Sequence, residues 1–256
     1  MNAVAIVQAR MSSSRFPGKV LAPLAGEPMI LRQLARLSGA TSIDQIVVAT
    51  SSDSSDDPLA DTLTKAGYRV HRGSLTDVLD RFLGAAQESE ADAVVRITAD
   101  CPLLSPAVVD RVVEAFRESG ADYASNTLDP TYPDGLDVEV VTVEALSRLT
   151  ECELDSDERE HVTLGIYRRP ETFQLQSVID PDADHSDLRW TVDTPEDLEF
   201  VSWVFESLHA RNPQFDYPDI LELLSLHLER SRTAADGLRN AALLGKDTGA
   251  MKGPAS

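Results

Sequence analysis

Short apolar runs alternate with segments of helical periodicity through the first half of the chain. Runs rich in Val, Ile and Ala predict buried strands, whereas apolar residues that recur every three or four positions predict helices. The pattern predicts strands at residues 3–7, 45–50, 69–72 and 93–97 and helices at residues 28–37, 58–66, 77–89 and 106–119. This repeated strand–helix order predicts an α/β fold with a mainly parallel sheet and helices on both faces.

The second half of the chain follows a less regular pattern. A turn-rich segment at residues 129–135 precedes a strand-like segment at residues 136–143, and residues 172–178 and 188–192 also have strand character. Together these segments predict a small, partly antiparallel insertion in the fold.

Two more helices are predicted toward the end of the chain. The first covers residues 195–209, with Asp193 or Thr194 as its N-cap, and the second covers residues 217–229. Beyond them the sequence becomes rich in Gly and Ala. We therefore expect one domain over residues 1–230 and a mobile tail over residues 231–256.

Several polar residues directly follow predicted strands. Arg10, Ser51, Gly73 and Asp100 each stand just after one of the first four strands. Ligands of doubly wound sheets bind beyond the carboxyl ends of the strands. A single cleft is therefore expected to contain all four residues.

The loop after the first strand, residues 7–21, is short, basic and rich in small residues. It carries Arg10, Arg15 and Lys19, and its serines and glycine allow backbone N–H groups to approach phosphate oxygens. It matches neither the Walker A pattern nor Gly-x-Gly-x-x-Gly. The loop thus favours a nucleoside triphosphate site used for nucleotidyl transfer, and a solvated basic connection that binds nothing is the alternative.

Two aspartates at predicted strand ends have the positions of metal ligands. Asp100 follows the fourth strand and precedes Pro102, and Asp193 follows the segment at residues 188–192. Mg²⁺ takes few protein oxygens and completes its shell with phosphates and water. Helix capping for Asp193 and a local turn for Asp100 are the structural alternatives.

Composition limits the class of protein. The 256 residues are 42% hydrophobic and 26% charged, with a net charge of −20, which disfavours binding to nucleic acid or an anionic membrane. The two cysteines, Cys101 and Cys152, form no disulfide framework. The first apolar run is too short for a signal peptide and no stretch has the length of a membrane span, so a cytoplasmic location is expected.

Five sequence motifs, spread in order over residues 4–205, resemble those of a known family. They are Ala9-Arg10 with Pro17-Gly18-Lys19-Val20-Leu21, Arg96-Ile-Thr-Ala-Asp-Cys-Pro-Leu103, Asp134-Gly-Leu-Asp-Val-Glu139, Arg159-Glu-His-Val-Thr163 and Trp190-Thr-Val-Asp-Thr-Pro-Glu-Asp-Leu198. The family is the cytidylyltransferases associated with spore-coat polysaccharide biosynthesis, which is similar to acylneuraminate cytidylyltransferases and CMP-KDO synthetases. The first motif reads Val7-Gln8-Ala9-Arg10, which resembles the sequence of the spore-coat branch. The sialic acid and KDO synthetases usually have Ile-Pro-Ala-Arg at this motif.

The resemblance implies a Rossmann-like nucleotide-diphospho-sugar transferase fold and a Mg²⁺-dependent reaction. In that reaction CMP passes from CTP to a nonulosonic-acid-like or amino sugar with release of pyrophosphate, for surface polysaccharide or glycan biosynthesis. By motif, Arg10, Arg15 and Lys19 would bind the triphosphate, while Asp100 and Asp193 would hold the metal. A homodimer is a candidate assembly.

The remaining candidate residues fall into two groups. The nucleoside candidates are Ser51, Arg72, Gly73, Ser74 and Asp77. The acceptor candidates are Tyr132, Asp134, Asp137 and Glu139, which can bind hydroxyls, and Glu158, Arg159 and His161, which can bind a carboxylate or amino group. A position on a helix surface is the alternative for His161.

Two other functions are alternatives to nucleotidyl transfer. A metal-dependent glycosyltransferase with a nucleotide-sugar donor would favour Asp-x-Asp after the fourth strand, where this chain has Asp100-Cys-Pro. A non-catalytic nucleotide-sensing domain would favour loss of Lys19 or Asp100, and both are present. Nucleotidyl transfer is therefore the expected activity.

Overall fold

A computed structural model describes residues 1–231 of the chain. Within this range the strands are β1 (Ala3–Gln8), β2 (Pro23–Leu24), β3 (Glu27–Pro28), β4 (Gln45–Ser51), β5 (Arg69–Gly73), β6 (Ala93–Thr98), β7 (Tyr123–Ser125), β8 (Glu139–Thr142) and β9 (Leu175–Ser177). The α-helices in the same range are α1 (Met29–Leu37), α2 (Asp57–Lys65), α3 (Val78–Glu88), α4 (Pro106–Ser119), α5 (Val143–Thr150), α6 (Ser156–Glu160), α7 (Leu164–Tyr167), α8 (Pro195–Leu208) and α9 (Tyr217–Leu226).

The main sheet has the strand order β5-β4-β1-β6-β8-β7-β9. Strands β5, β4, β1 and β6 run parallel to one another, whereas β8 is antiparallel to both β6 and β7. β9 is parallel to β7, and β2 and β3 form a separate antiparallel hairpin. The predicted α/β fold, with a mainly parallel sheet and a partly antiparallel section, is confirmed.

Apolar side chains of β1 pack on both faces of the sheet. Ala5 and Val7 belong to a buried cluster with α1, α2, α4, α8 and α9, and Val4 and Ile6 belong to a cluster with α3, α5 and α7. Successive side chains of a strand point to opposite faces, so a strand covered on both sides is apolar throughout. Each fully buried aliphatic side chain stabilises the fold by about 1.5–3 kcal/mol.

The second half of the chain differs from its sequence prediction. The segment at residues 136–143 is not one strand, because β8 begins at Glu139 and Val143 already opens α5. Thr142 ends the strand and starts the helix, since its side-chain oxygen accepts a hydrogen bond of 2.9 Å from the Ala145 amide.

The segment at residues 188–192 is also not a strand. It makes a single parallel bridge, Asp134 with Arg189, and its neighbouring backbone groups bond to the turn-rich loop before β8. The strand predicted at residues 172–178 is present in shorter form as β9. The hydrophobic pattern did not predict β7, α6 and α7, because elements of three to five residues are too short to show a period.

The predicted division into a domain at residues 1–230 and a tail at residues 231–256 stays a prediction. Apart from Ser231, the predicted mobile tail at residues 231–256 lies outside the described residues. Across residues 1–231, no helix combines the length and apolar character needed to cross a membrane.

Candidate active site

A cavity of about 410 Å³ opens beyond the carboxyl ends of β1 and β6. This is the edge at which doubly wound sheets bind their ligands. Many of the predicted site residues line it, although they come from segments far apart in the sequence. They are Arg10, Arg15, Lys19, Asp100, Asp134, Asp137, Glu139, His161 and Asp193.

Lys19 lies at the centre of the charged groups in this cavity. Its Nζ atom donates to Asp100 Oδ2 at 3.2 Å, to Asp193 Oδ1 at 3.1 Å and to the Val192 carbonyl at 2.7 Å. The lysine side chain is only 11% exposed. Gly18, with a φ of 74°, makes the left-handed turn that begins the short 3₁₀ segment carrying Lys19.

The electrostatics of this cluster favour the charged form of each group. Burial by itself would lower the pKa of Lys19, but the carboxylates of Asp100 and Asp193 outweigh burial and raise it. Burial likewise opposes ionisation of Asp100, yet the Lys19 ammonium holds the pKa of Asp100 below its ordinary value. Lys19 and Asp100 are therefore both charged at neutral pH.

Asp193 contacts two further cations. Arg15 Nη2 lies 3.0 Å from Asp193 Oδ1, and Arg189 Nη2 lies 2.9 Å from Asp193 Oδ2. The N-cap of α8 is Thr194, whose hydroxyl accepts from the Asp197 amide while Asp197 accepts from the Thr194 amide. Capping is thus assigned to Thr194, which leaves the Asp193 carboxylate facing the cavity.

The chemistry of Asp100 and Asp193 fits a magnesium ion. Both present hard carboxylate oxygens to the cavity, and both converge on one cation, the Lys19 ammonium. Within residues 1–231, His, Cys, Asp and Glu form no group of three or more that could hold a metal. A pair of carboxylates still suits Mg²⁺, because substrate phosphates and water normally complete its shell.

Cys101 follows Asp100 but has no thiolate character. Burial first, and then the nearby carboxylates Asp100 and Asp137, raise the pKa of the Cys101 thiol well above its usual value. A thiol in such surroundings is a poor nucleophile, because the thiolate is the reactive form.

Arg10 stands apart from the lysine cluster. Its guanidinium pairs with Glu160 at 3.3 Å, and both side chains are about two-fifths exposed. Glu160 ends α6, and His161 follows it on the cavity lining. The expected triphosphate residues of the basic loop therefore contact different parts of the cavity, Lys19 the carboxylates of Asp100 and Asp193 and Arg10 the end of α6.

Glu139 occupies a buried polar cluster that also reaches the cavity. It accepts hydrogen bonds from Arg96, from the Tyr123 hydroxyl at 2.8 Å and from Thr163. Arg96 and Glu139 face each other across the β6–β8 pair. Burial and the Glu139 charge raise the pKa of Tyr167 to about 12, so this phenol on the cavity lining is neutral.

Comparison with known proteins identifies the family to which this site belongs. The family model for cytidylyltransferases matches residues 4–223. The chain belongs to the cytidylyltransferase family. The resemblance drawn from the five motifs is confirmed, and the chain is a nucleotidyltransferase.

Three relatives illustrate the match. The spore coat polysaccharide biosynthesis protein SpsF of Bacillus subtilis is 34% identical over 226 residues, which are 86% of this chain and 92% of that protein. A cytidylyltransferase structure from Leptospira borgpetersenii superposes with a TM-score of 0.85 at 29% identity, covering 90% of this chain and 96% of that one. A structure of CMP-2-keto-3-deoxy-manno-octonic acid synthetase complexed with CTP shares the fold, with a TM-score of 0.63 at 18% identity over 81% of this chain and 99% of that one.

The predicted nucleoside residues of this cytidylyltransferase lie outside the lining of the cavity. Ser51 is buried against Asp56, and Arg72 donates to the carbonyls of Ser51 and Asp53. Asp56 in turn accepts a bond of 2.7 Å from the Met11 amide at the start of the basic loop. The structure therefore places Ser51 and Arg72 in a network that braces this loop.

The other three predicted nucleoside residues, Gly73, Ser74 and Asp77, lie shortly before the start of α3. The Ser74 hydroxyl accepts from the Asp77 amide, and Asp77 caps α3 and pairs with Arg159 at 2.7 Å. A side chain at Gly73 would press on Arg81, because a Cβ there would lie 3.0 Å from Arg81 Cγ. These contacts connect neighbouring elements of the fold. The cavity lining includes none of the four residues Gly73, Ser74, Asp77 and Arg159.

Two predicted acceptor residues are also packed elsewhere. Glu158 is buried, pairs with Arg169 at 2.6 Å and completes the capping box of α6 with Asp155. Tyr132 is buried in edge contact with Tyr217, at a ring separation of 5.8 Å. Neither side chain lines the cavity of the cytidylyltransferase.

Several residues on the cavity lining were missed by the sequence analysis. They are Gln8, Arg96, Thr127, Glu160 and Tyr167. Arg96 lies inside the strand predicted at residues 93–97, whereas Gln8 directly follows the strand predicted at residues 3–7 and ends β1 in the structure. A polar side chain within or at the end of an apolar run was the signal that could have identified each residue.

Proposed function

We propose that this cytidylyltransferase transfers CMP from CTP to a hydroxyl of a sugar and releases pyrophosphate, with Mg²⁺ as its cofactor. The observation that carries the proposal is the meeting of Lys19, Asp100 and Asp193 in one cavity at the carboxyl edge of the sheet. The spore-coat relative supports a role in surface polysaccharide synthesis. A cytoplasmic location fits a reaction that consumes CTP.

The triphosphate is assigned to Arg10, Arg15 and Lys19. The side chain of Arg15 is 57% exposed and contacts Asp193 alone among the described ion pairs, so it can turn toward a phosphate at little cost. Ser12, Ser13 and Ser14 line the same cavity and belong to the loop that would approach the phosphates. Lys19 and the arginines stabilise the negative charge that develops on the departing pyrophosphate.

The metal is assigned to Asp100 and Asp193. When bound, Mg²⁺ would neutralise charge on the phosphate oxygens and orient the groups that exchange. The Lys19 ammonium already shows that the two carboxylates can share a cation. Lys19 donates to Oδ1 of Asp193 and Arg189 donates to Oδ2, so Arg189 helps to fix the orientation of that ligand.

The acceptor is assigned to the part of the cavity that contains Asp134, Asp137, Glu160 and His161. The lining as a whole carries six carboxylates and four fixed cations: Asp100, Asp134, Asp137, Glu139, Glu160 and Asp193, with Arg10, Arg15, Lys19 and Arg96. Arg10 and Arg96 are already paired with Glu160 and Glu139. This balance favours an amino sugar over a sugar acid, because carboxylates attract an ammonium group and repel another carboxylate.

Pyrophosphate release tests this function. The enzyme is incubated with Mg²⁺, each of the four nucleoside triphosphates and a panel of amino sugars, nonulosonic acids and simple hexoses. The proposal predicts turnover with CTP above UTP, ATP and GTP, together with a CMP-sugar product. Equal use of ATP and GTP would overturn it, as would release of a nucleoside diphosphate in a parallel reaction in which a nucleotide-sugar replaces the triphosphate.

A further inference from the structure

A second cavity, of about 310 Å³, lies between α1, the start of α4, the end of α8 and the segment at residues 213–216. It shares no lining residue with the candidate active site. Its charged and polar side chains are those of Arg32, Arg36, His209, Gln214 and Asp216. Its apolar lining includes Pro106, Phe205, Pro213 and Phe215.

Arg36 presents a buried donor to this cavity. Its Nε and Nη1 atoms donate to the carbonyls of Leu104 and Phe215 at 2.8 and 2.9 Å, and the guanidinium lies over the Phe215 ring at 4.3 Å. The side chain is only 7% exposed. Within residues 1–231, Nη2 has no hydrogen-bond partner, because Asp216 Oδ1 lies 3.8 Å away and beyond hydrogen-bond distance.

His209 presents a second buried donor. Arg32 Nη1 lies 3.3 Å from His209 Nε2, and a guanidinium can only donate, so Nε2 accepts and the proton of the neutral ring is on Nδ1. That Nδ1 atom is buried and has no hydrogen-bond partner in the described part of the chain. Burial and the two nearby arginines lower the pKa of His209, which keeps the ring neutral at pH 7.

We propose that this cavity binds a small organic anion, whose carboxylate or phosphate accepts hydrogen bonds from Arg36 Nη2 and His209 Nδ1. A buried donor without an acceptor is costly, so binding of a group that accepts from both atoms is favoured. Two arginines against one aspartate leave the site with a positive charge. Phe205 and Phe215 provide the surface for an apolar ring or chain attached to the anion.

Calorimetric titration of the full chain with benzoate, phenyl phosphate and benzyl alcohol tests this site. Benzoate and phenyl phosphate compare the two anion sources, and benzyl alcohol is the neutral control. We expect at least one of the anions to bind with one-to-one stoichiometry, and benzyl alcohol to bind at least about tenfold more weakly. Failure of both anions to bind, or equal binding of benzyl alcohol, would overturn the proposal.

Two variants locate the binding. His209→Phe keeps an aromatic ring beside Phe205 and removes the Nδ1 donor, so it should weaken anion binding about tenfold. Lys19→Ala removes the central cation of the other cavity and should leave this binding unchanged. Binding that survives His209→Phe and disappears in Lys19→Ala would assign the anion to the active site and refute a second site.

Nitrogen NMR of the histidine rings gives an independent test that does not depend on a chosen anion. His209 should show a protonated Nδ1 and an unprotonated Nε2 at pH 7, and its Nδ1 signal should move when the anion binds. A proton on Nε2, or a His209 Nδ1 signal that does not move when the anion binds, would contradict the proposed contact. Circular dichroism of His209→Phe confirms that the variant is folded.

Discussion

Lys19 and Asp193 are separated by 174 positions in the sequence and joined by a contact of 3.1 Å between Nζ and Oδ1. The same ammonium reaches Asp100, so one lysine connects the loop after β1 with the segments after β6 and before α8. Val192 also donates its amide to the Asp100 carbonyl at 2.8 Å. The Lys19 side chain thus connects the two proposed metal ligands directly.

The first prediction concerns the pH dependence of folding. Asp100 has a lowered pKa, so its contribution to stability is present above the unfolded value of about 3.9 and is lost as pH falls through the folded value. Lys19 has a raised pKa, so its contribution is present below about 10.4 and is lost as pH rises through the folded value. The pair therefore stabilises the wild-type chain throughout the neutral range.

Lys19→Ala should change this dependence, because burial of Asp100 then acts without the compensating ammonium. The difference in unfolding free energy between wild type and variant is expected to grow as pH rises through the acidic range in which Asp100 ionises. Urea unfolding at a series of pH values measures it. A difference that stays constant over this range would show that Lys19 does not stabilise ionised Asp100.

The second prediction separates metal binding from helix capping at the start of α8. Asp193→Asn should remove most Mg²⁺-dependent turnover and raise the Mg²⁺ concentration needed for half-maximal rate, because an amide oxygen binds Mg²⁺ less strongly than a carboxylate. Thr194→Ala is the matched control at the adjacent position. It should lower the unfolding free energy by about 0.5–2 kcal/mol through loss of the cap and leave the Mg²⁺ dependence unchanged. A Thr194→Ala variant with the same shift in Mg²⁺ dependence would assign Asp193 to a structural role.

The third prediction concerns Glu139, whose side chain is 11% exposed and bonded to three partners. Glu139→Gln should lower the unfolding free energy by about 3–5 kcal/mol, because it leaves the buried Arg96 without its counter-charge. Glu144→Gln, at an exposed position on α5, is the control and should change stability by less than about 0.5 kcal/mol. Equal effects of the two substitutions in thermal or urea unfolding would contradict the buried ion pair.

Sequence reasoning located the charged centre of the site because strand ends of a parallel sheet converge. Lys19 and Asp100 follow β1 and β6, which are adjacent strands, so the repeated pattern was enough to bring them together. To predict the Arg96–Glu139 pair, one must know the antiparallel register of β6 and β8, and local periodicity does not give this register. The same limit applies to Asp77 and Arg159, which meet across 82 positions and hold each other outside the cavity lining.

The fold class was predicted correctly, but the shortest elements were missed or given the wrong bounds. β7 and β9 are three residues long, and their pairing with β8 depends on contacts between distant segments. The motifs nonetheless identified the family, since a motif such as the one containing Asp134 and Asp137 can be read from the sequence without knowledge of the strand register.

The rate of CTP-dependent pyrophosphate release in Lys19→Ala most directly tests the assignment of the triphosphate site. Loss of the Lys19 ammonium should lower kcat/KM by about 2–4 kcal/mol of transition-state stabilisation, measured at a temperature where the variant is fully folded. Lys65→Ala, at an exposed position on α2, is the matched control and should match wild type. Wild-type kcat/KM in a folded Lys19→Ala variant would contradict the proposed role of the basic loop in nucleotidyl transfer.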